Sequence, residues 1–116
     1  MSKTGVFYHP SFSKRSYLTI GARLSDFPDA FSNVNAPNVM FFESKKIDEK
    51  LVLKVHSREM IEMVKHHSLC STAWHSAGGV VEAAEKIWTG EVGNAFVYIG
   101  AGGHHAGRDN FWGYCC

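Results

Sequence analysis

The sequence is short of the features that mark secreted, membrane-spanning or nucleic-acid-binding chains. It has three cysteines, Cys70, Cys115 and Cys116. An odd number with two of them adjacent does not make a disulfide framework and points to a reducing compartment. No charge of one sign prevails: 12 Lys and Arg stand against 11 Asp and Glu, a formal net charge of +1. That balance gives no electrostatic reason to expect nucleic acid or a membrane surface as partner. No apolar run approaches the roughly 20 residues of a spanning helix. The segment Met1-Ser2-Lys3-Thr4 leads into a run too short for the apolar part of a signal peptide. A soluble, cytoplasmic protein is therefore expected. There are no internal repeats, linkers or low-complexity stretches, so residues 1–116 are expected to form a single domain.

What is present suits a folded core. Hydrophobic residues make up 45% of the 116 positions and aromatic residues 13%. Three short apolar runs read as buried strands: Gly5-Val6-Phe7-Tyr8, Val39-Met40-Phe41-Phe42 and Ala95-Phe96-Val97-Tyr98-Ile99. Residues 11–22 read as loop with a helical turn. Arg23 to Asn33 reads as a short helix, weakened by Pro28. Asp48 and Ser57 are N-cap residues ahead of helical patterns, the second running from Arg58 to His67. From Thr72 to Trp88, Ala73, Ala77, Val80, Val81, Ala84, Ile87 and Trp88 recur at helical spacing, which predicts an amphipathic helix with that stripe buried. Gly90 ends it. Gly78-Gly79 inside it costs about 1 kcal/mol per residue relative to Ala and predicts close approach of another backbone. Strands and helices alternate, which argues for an α/β fold with a short parallel sheet.

Ligands of open α/β sheets bind beyond the carboxyl ends of strands. The third strand runs into Gly102-Gly103-His104-His105-Ala106. Seven histidines in the chain point to metal, proton transfer or pH response. Adjacent imidazoles on a glycine loop can serve as a proton donor–acceptor pair. The same residues also suit a plain turn with exposed histidines. Cys115 and Cys116 could grip a metal with His104 or His105, although vicinal cysteines chelate one ion poorly. His66 and His67 read as a solvated helix end, His75 as a surface residue, His56 as a structural hydrogen-bonding group and His9 as locally bonded. Cys70 reads as a small apolar filler, and Lys45, Lys46 and Lys50 as a solvated cluster.

Gly102-Gly103-His104-His105-Ala106, followed by Gly113-Tyr114-Cys115, resembles the signature of the histone deacetylase superfamily. That group includes acetoin-utilisation proteins and acetylpolyamine amidohydrolases and shares a zinc-hydrolase fold with arginase. Tyr8-His9-Pro10, Val55-His56-Ser57-Arg58-Glu59-Met60-Ile61 and Ala77-Gly78-Gly79-Val80-Val81-Glu82-Ala83-Ala84 extend the resemblance over nearly the whole chain. It implies a partial three-layer deacetylase/arginase-like fold and a role in removing acetyl groups from amines such as acetyl-lysine or acetylpolyamine. In the family, metal-activated water attacks the amide. By resemblance His104 and His105 are catalytic proton carriers. Gly102 and Gly103 lie beneath the acyl group, and Gly113 and Tyr114 wall the substrate tunnel, where the family has Phe in place of Tyr114.

The resemblance also implies what this chain does not supply. Family zinc ligands come from an Asp-x-His strand end and a later Asp, both downstream of the position matched by Cys115. The expectation is therefore no metal ligand and no cofactor on this chain, zinc belonging to the full-length family. Residues 66–71 hold no rim Asp, and Arg23-Leu24-Ser25-Asp26-Phe27-Pro28 lacks the Pro-x-Arg pattern. The chain resembles the N-terminal third of such an enzyme, expected to be inactive alone. The other reading is a non-enzymatic module that self-associates through an exposed strand edge or apolar face, so whether the chain acts as an enzyme stays open.

Overall fold

The computed structural model describes residues 2–14, 24–32, 34–100, 102–113 and 115–116. Three strands, β1 (Thr4–Tyr8), β2 (Val39–Glu43) and β3 (Asn94–Val97), form one sheet in the order β2-β1-β3. Both pairings are parallel, with Val6 beside Phe41 and Phe96, and Phe7 beside Phe42 and Val97. The strands lie where the apolar runs predict them, except that Tyr98 and Ile99 fall beyond β3. Parallel strands need long crossovers. These carry α1 (Ser11–Lys14), α2 (Glu49–Val52), α3 (Arg58–His66) and α4 (Ala73–Trp88). No helix among the described residues is long and apolar enough to cross a membrane.

The helix starts follow the predicted caps. The Asp48 carboxylate accepts the Lys50 N–H at 2.9 Å, and the Ser57 hydroxyl accepts the Met60 N–H at 3.2 Å. The helix predicted over residues 23–33 does not form. Its described part is a turn through Leu24–Pro28 and a 3-10 helix at Asp29–Phe31. Pro28 has no N–H to donate to the preceding turn, so the chain is left with single turns, in which the Phe27 N–H donates to the Leu24 carbonyl at 3.1 Å and the Ala30 N–H to the Asp26 carbonyl at 2.8 Å. Arg23 and Asn33 lie outside the described residues, as does most of the 11–22 segment. The segment is anchored instead by side chains. Ser13 donates to the Leu24 carbonyl at 2.6 Å, and the Phe27 ring sits 4.3 Å from that of Tyr98.

Alternation along the strands gives the sheet two unlike faces. On one, Phe7 stacks on Phe42 with ring centroids 4.8 Å apart, and Val97 meets α4 at Gly79. On the other, Phe27 and Phe31 reach Phe41, while Phe41 and Phe96 stay 50% and 59% exposed.

Helix α4 is turned the opposite way from the prediction. Its buried residues are Ser76, Gly78, Gly79, Glu82 and Ala83. Ala77, Val80, Ala84, Ile87 and Trp88, all in the predicted core stripe, are exposed. The reason is the close approach that the glycine pair predicts. The chain after β2 crosses the helix directly at Gly78, where a Cβ would lie 1.7 Å from the Lys45 carbonyl oxygen. The Ile47 N–H donates to the Trp74 carbonyl at 3.0 Å, and the Lys45 N–H to the Glu82 carboxylate at 3.3 Å. Apart from Glu82, whose carboxylate meets the Lys45 N–H, the buried side is made of Gly, Ser and Ala, and the larger apolar residues point outward.

A second cluster joins Met60 and Val64 of α3 to Cys70, packed against Ala73, Trp74, Ala106, Phe111 and Cys116. Here the cysteine reading is corrected: Cys70 is not a lone filler but is disulfide-bonded to Cys116, 46 residues away. Parity of the cysteine count could not show this, because the odd thiol left over is Cys115, which is free and buried.

Candidate functional site

The sequence after β3 is fastened to the rest of the chain before it reaches the histidines. The Tyr98 N–H continues the ladder to the Phe7 carbonyl at 2.9 Å. The Gly100 N–H donates to the Ser76 hydroxyl at 3.0 Å, and Ser76 donates to the Thr72 carbonyl at 2.7 Å. This buried relay ties the end of the strand to the first turn of α4.

Beyond it, Gly102 bridges Cys115, and the Cys116 N–H donates to the Gly102 carbonyl at 3.0 Å. The Ala106 N–H closes back on the Gly103 carbonyl at 3.0 Å, which forms a turn with His104 and His105 at its tip. The loop is also tied to the start of α3. His56 donates through Nδ1 to the Gly107 carbonyl at 2.9 Å, and the Ser57 N–H donates to the Arg108 carbonyl at 3.0 Å. His56 thus has the structural role its position suggests.

Both His104 and His105 are exposed, with ring centroids 4.1 Å apart and the planes inclined by 47°. Among the described residues neither ring has a carboxylate partner. The neighbour is a thiol instead: Cys115 Sγ lies 3.8 Å from His104 Nδ1. Gly102 is half-buried against Cys115, and Gly103 is exposed with open space around it. Gly113 is exposed and has φ +55°, a left-handed conformation that suits glycine. Tyr114 lies outside the described residues. Of the site residues read from the sequence, the fold therefore joins His104, His105, Gly102 and Gly103 in one loop. It adds Cys115, which the sequence could not separate from its neighbour. The disulfide takes Cys116 away.

The zinc that the sequence resemblance implies is a carboxylate-bearing site. Here the donors brought together among the described residues are His104, His105 and Cys115. Two imidazoles and a thiol do not fit an Asp-and-His centre.

The other histidines are engaged elsewhere. His9 bonds locally, as expected, through Nδ1 to the Ser11 hydroxyl at 2.7 Å. His66 is exposed and donates through Nδ1 to the Glu62 carbonyl at 2.8 Å. His67 caps a 3-10 turn by accepting the Leu69 N–H. His75 is less exposed than the sequence suggests. It is half-buried and stacks on His9 with centroids 3.7 Å apart. Burial, then the positive charges of His9 and Lys46, hold its pKa below the ordinary histidine value, against an opposing pull from Glu43. A separate apolar groove of about 410 Å³ runs between α2, α3 and α4, lined by Leu51, Val55, Met60, Ala73, Ala77 and Val81 among others, and neither His104 nor His105 reaches it.

Comparison with known proteins agrees with this architecture. The family model for the histone deacetylase domain matches residues 66–116, which include α4, β3 and the histidine loop. No curated protein matches the sequence. Among solved structures, the crystal structure of the HDA15 HD domain is similar, with a TM-score of 0.78 and 23% identity. The match covers 98% of this chain and 39% of that one. It carries the deacetylase-like fold. Residues 66–116 thus match the histone deacetylase domain family, and the chain as a whole is similar in fold to the HDA15 HD domain.

Proposed function

We propose that this chain contributes the proton-handling part of an amidohydrolase centre that removes acetyl groups from amines of the acetyl-lysine or acetylpolyamine type. One observation carries the reading: the two imidazoles stand side by side, 4.1 Å apart, on the loop leaving the carboxyl end of a parallel strand. Imidazole is the side chain that gains and loses its proton near neutral pH. One ring would take a proton from the attacking water while the other supplies one to the departing amine, the general acid–base pairing that amide hydrolysis needs. Gly102 and Gly103 leave room for an acyl group against the backbone. Gly113 and Tyr114 would flank its path.

The donor set present does not support the family's hydrolytic zinc, so the chain alone is proposed to have no deacetylase turnover. The test is an acetyl-lysine peptide and an acetylpolyamine assayed with the purified chain in added zinc, alongside metal analysis. No turnover is expected. Turnover together with stoichiometric zinc overturns the proposal. Reading the gene past Cys116 decides whether a longer enzyme exists. A downstream Asp-x-His supports the reading, and in that longer protein His105→Ala should lower kcat by roughly 10²- to 10⁴-fold.

A second reading is a self-associating module without catalysis. It is favoured by the exposed stripe Val80, Ala84, Ile87 and Trp88 on α4 and by the exposed Phe41 and Phe96 on the sheet. Patches of this kind commonly mark interfaces, and among the described residues the edge strands β2 and β3 have unpaired outer backbone. A stop codon after Cys116 with a dimer or larger species in light scattering supports it. A monomer at high concentration rules it out.

A further inference from the structure

We infer that His104, His105 and Cys115 form a metal site of their own for a zinc-class divalent ion, different from the carboxylate-bearing centre of the family resemblance. One ligand atom from each of the three residues lies within 4.8 Å of the others. Zinc–sulfur bonds of about 2.3 Å and zinc–nitrogen bonds of about 2.0–2.1 Å place neighbouring tetrahedral donors about 3.4–3.7 Å apart. Cys115 Sγ and His104 Nδ1, at 3.8 Å, already stand at nearly that separation. The remaining closure is about 1 Å, within reach of side-chain rotation on a loop where Gly103 meets no neighbour.

The frame that presents these donors does not depend on an ion. Gly102 is bridged to Cys115, the Cys115 N–H donates to the Trp112 carbonyl at 3.0 Å, and the Cys116 N–H donates to the Gly102 carbonyl at 3.0 Å. The disulfide to Cys70 removes Cys116 as a donor. One thiol is therefore offered, free and buried, beneath two exposed imidazoles. This avoids the poor geometry of a vicinal chelate. A nitrogen–sulfur donor set selects zinc-class ions over magnesium or calcium, which prefer oxygen. Three protein donors leave a fourth position facing solvent. Binding displaces the thiol proton, so metal enters as one proton leaves. An imidazole nitrogen bound to metal cannot accept a proton, so metal capture and proton transfer exclude each other at that atom. The inference stands on these donors alone and does not need the deacetylase reading.

Cobalt is the probe. The purified chain, stripped with a chelator and kept without reductant, should bind one Co²⁺. The complex should show a thiolate-to-cobalt charge-transfer band in the near ultraviolet, and Zn²⁺ should displace it. Cys115→Ser should abolish the band. His104→Ala and His105→Ala should each weaken zinc binding by more than the roughly 10- to 100-fold cost of losing a mere supporting group. Both histidines are exposed, so these two variants keep the fold, which circular dichroism checks. Cys116→Ser should retain the band. Absence of the band overturns the site, as does a band that survives Cys115→Ser or is unmoved by both histidine variants. Activity is a separate readout: a cobalt band without acetyl-lysine turnover supports this site, whereas turnover without the band counts against it and bears separately on the function proposed above.

Discussion

Helix α4 has two sides that reverse the usual relation between polarity and burial. Ser76, Gly79, Glu82 and Ala83 are turned inward, and Val80, Ala84, Ile87 and Trp88 outward, with Trp88 91% exposed. Apart from Glu82, the inner side is small rather than greasy. Space decides it: with the 45–47 backbone lying across Gly78, close packing and backbone hydrogen bonds outweigh the apolar area left in water. Along the outer side there is a further contrast. Its first turns, at Ala73 and Ala77, border the groove formed with α2 and α3, and the C-terminal cluster packs on Ala73. Its last turns carry no such cover, and Ile87 and Trp88 are exposed.

The contrast breaks most sharply at Gly78. Gly78→Ala places a methyl group 1.7 Å from the Lys45 carbonyl and 2.7 Å from the Ile47 nitrogen. Both obstacles are backbone, so the strap must move and its bonds to Trp74 and Glu82 must lengthen. A loss of about 4 kcal/mol or more is expected, a large share of the total stability of a chain of this size. Urea denaturation followed by circular dichroism measures it. On the outer side, Ala84→Gly should cost only the helix propensity, about 1 kcal/mol. Equal losses at the two positions would remove the distinction.

Next in size is the fastening of the covered end. Cys116→Ser opens a cross-link spanning 46 residues, which should lower stability by about 2–4 kcal/mol. The same denaturation experiment tests this, and wild type in reductant should match the variant. Smaller still for stability is the uncovered end. Val80→Gln with Ile87→Gln and Trp88→Gln should leave the urea midpoint within about 0.5 kcal/mol of wild type per site. If the chain self-associates through this stripe, the triple variant should shift light scattering toward monomer. An unchanged oligomer would move attention to the sheet face at Phe41 and Phe96.

The sequence made the strands legible because each is a run of apolar residues closed by Pro, Asn or Gly, and the helix starts because Asp48 and Ser57 sit where caps belong. It also announced the close contact at Gly78-Gly79. It misplaced the buried face of α4 because periodicity finds a stripe but not the side that meets the sheet. When the inner side is built from Ser, Gly, Ala and one Glu, the outer stripe gives the stronger signal. The 23–33 segment misled because Leu24, Phe27 and Phe31 keep helical spacing, while Phe27 and Phe31 pack edge-on to each other and both reach Phe41 without a continuous helix beneath them. At the site, His104 and His105 were legible as neighbours on a glycine loop. The choice of Cys115 over Cys116 was not. Adjacent residues point to opposite sides of an extended chain, and only the fold shows which side faces the imidazoles and which faces Cys70.

The smallest effect concerns the one ionisable ring on α4 that stacks against the end of β1. His75 lies on His9, and its pKa is held below the ordinary value by burial first and by the charges of His9 and Lys46 next. Its neutral form is thus the one the fold favours. In the unfolded chain the ring takes up its proton near pH 6.5, while the folded chain resists. Through that range the unfolded state binds more protons, so stability must fall as pH falls and level off above it. The ring is partly solvated, so screening keeps the effect well under about 1 kcal/mol. Histidines elsewhere add their own slopes. The measurement is therefore a difference: urea midpoints at pH 7.5 and 5.5 for wild type against His75→Asn. The variant should lose less stability on acidification. Equal slopes would mean that the stacked ring carries its charge without penalty, and that the polar residues of the inner side are no more sensitive to their surroundings than the apolar residues facing water.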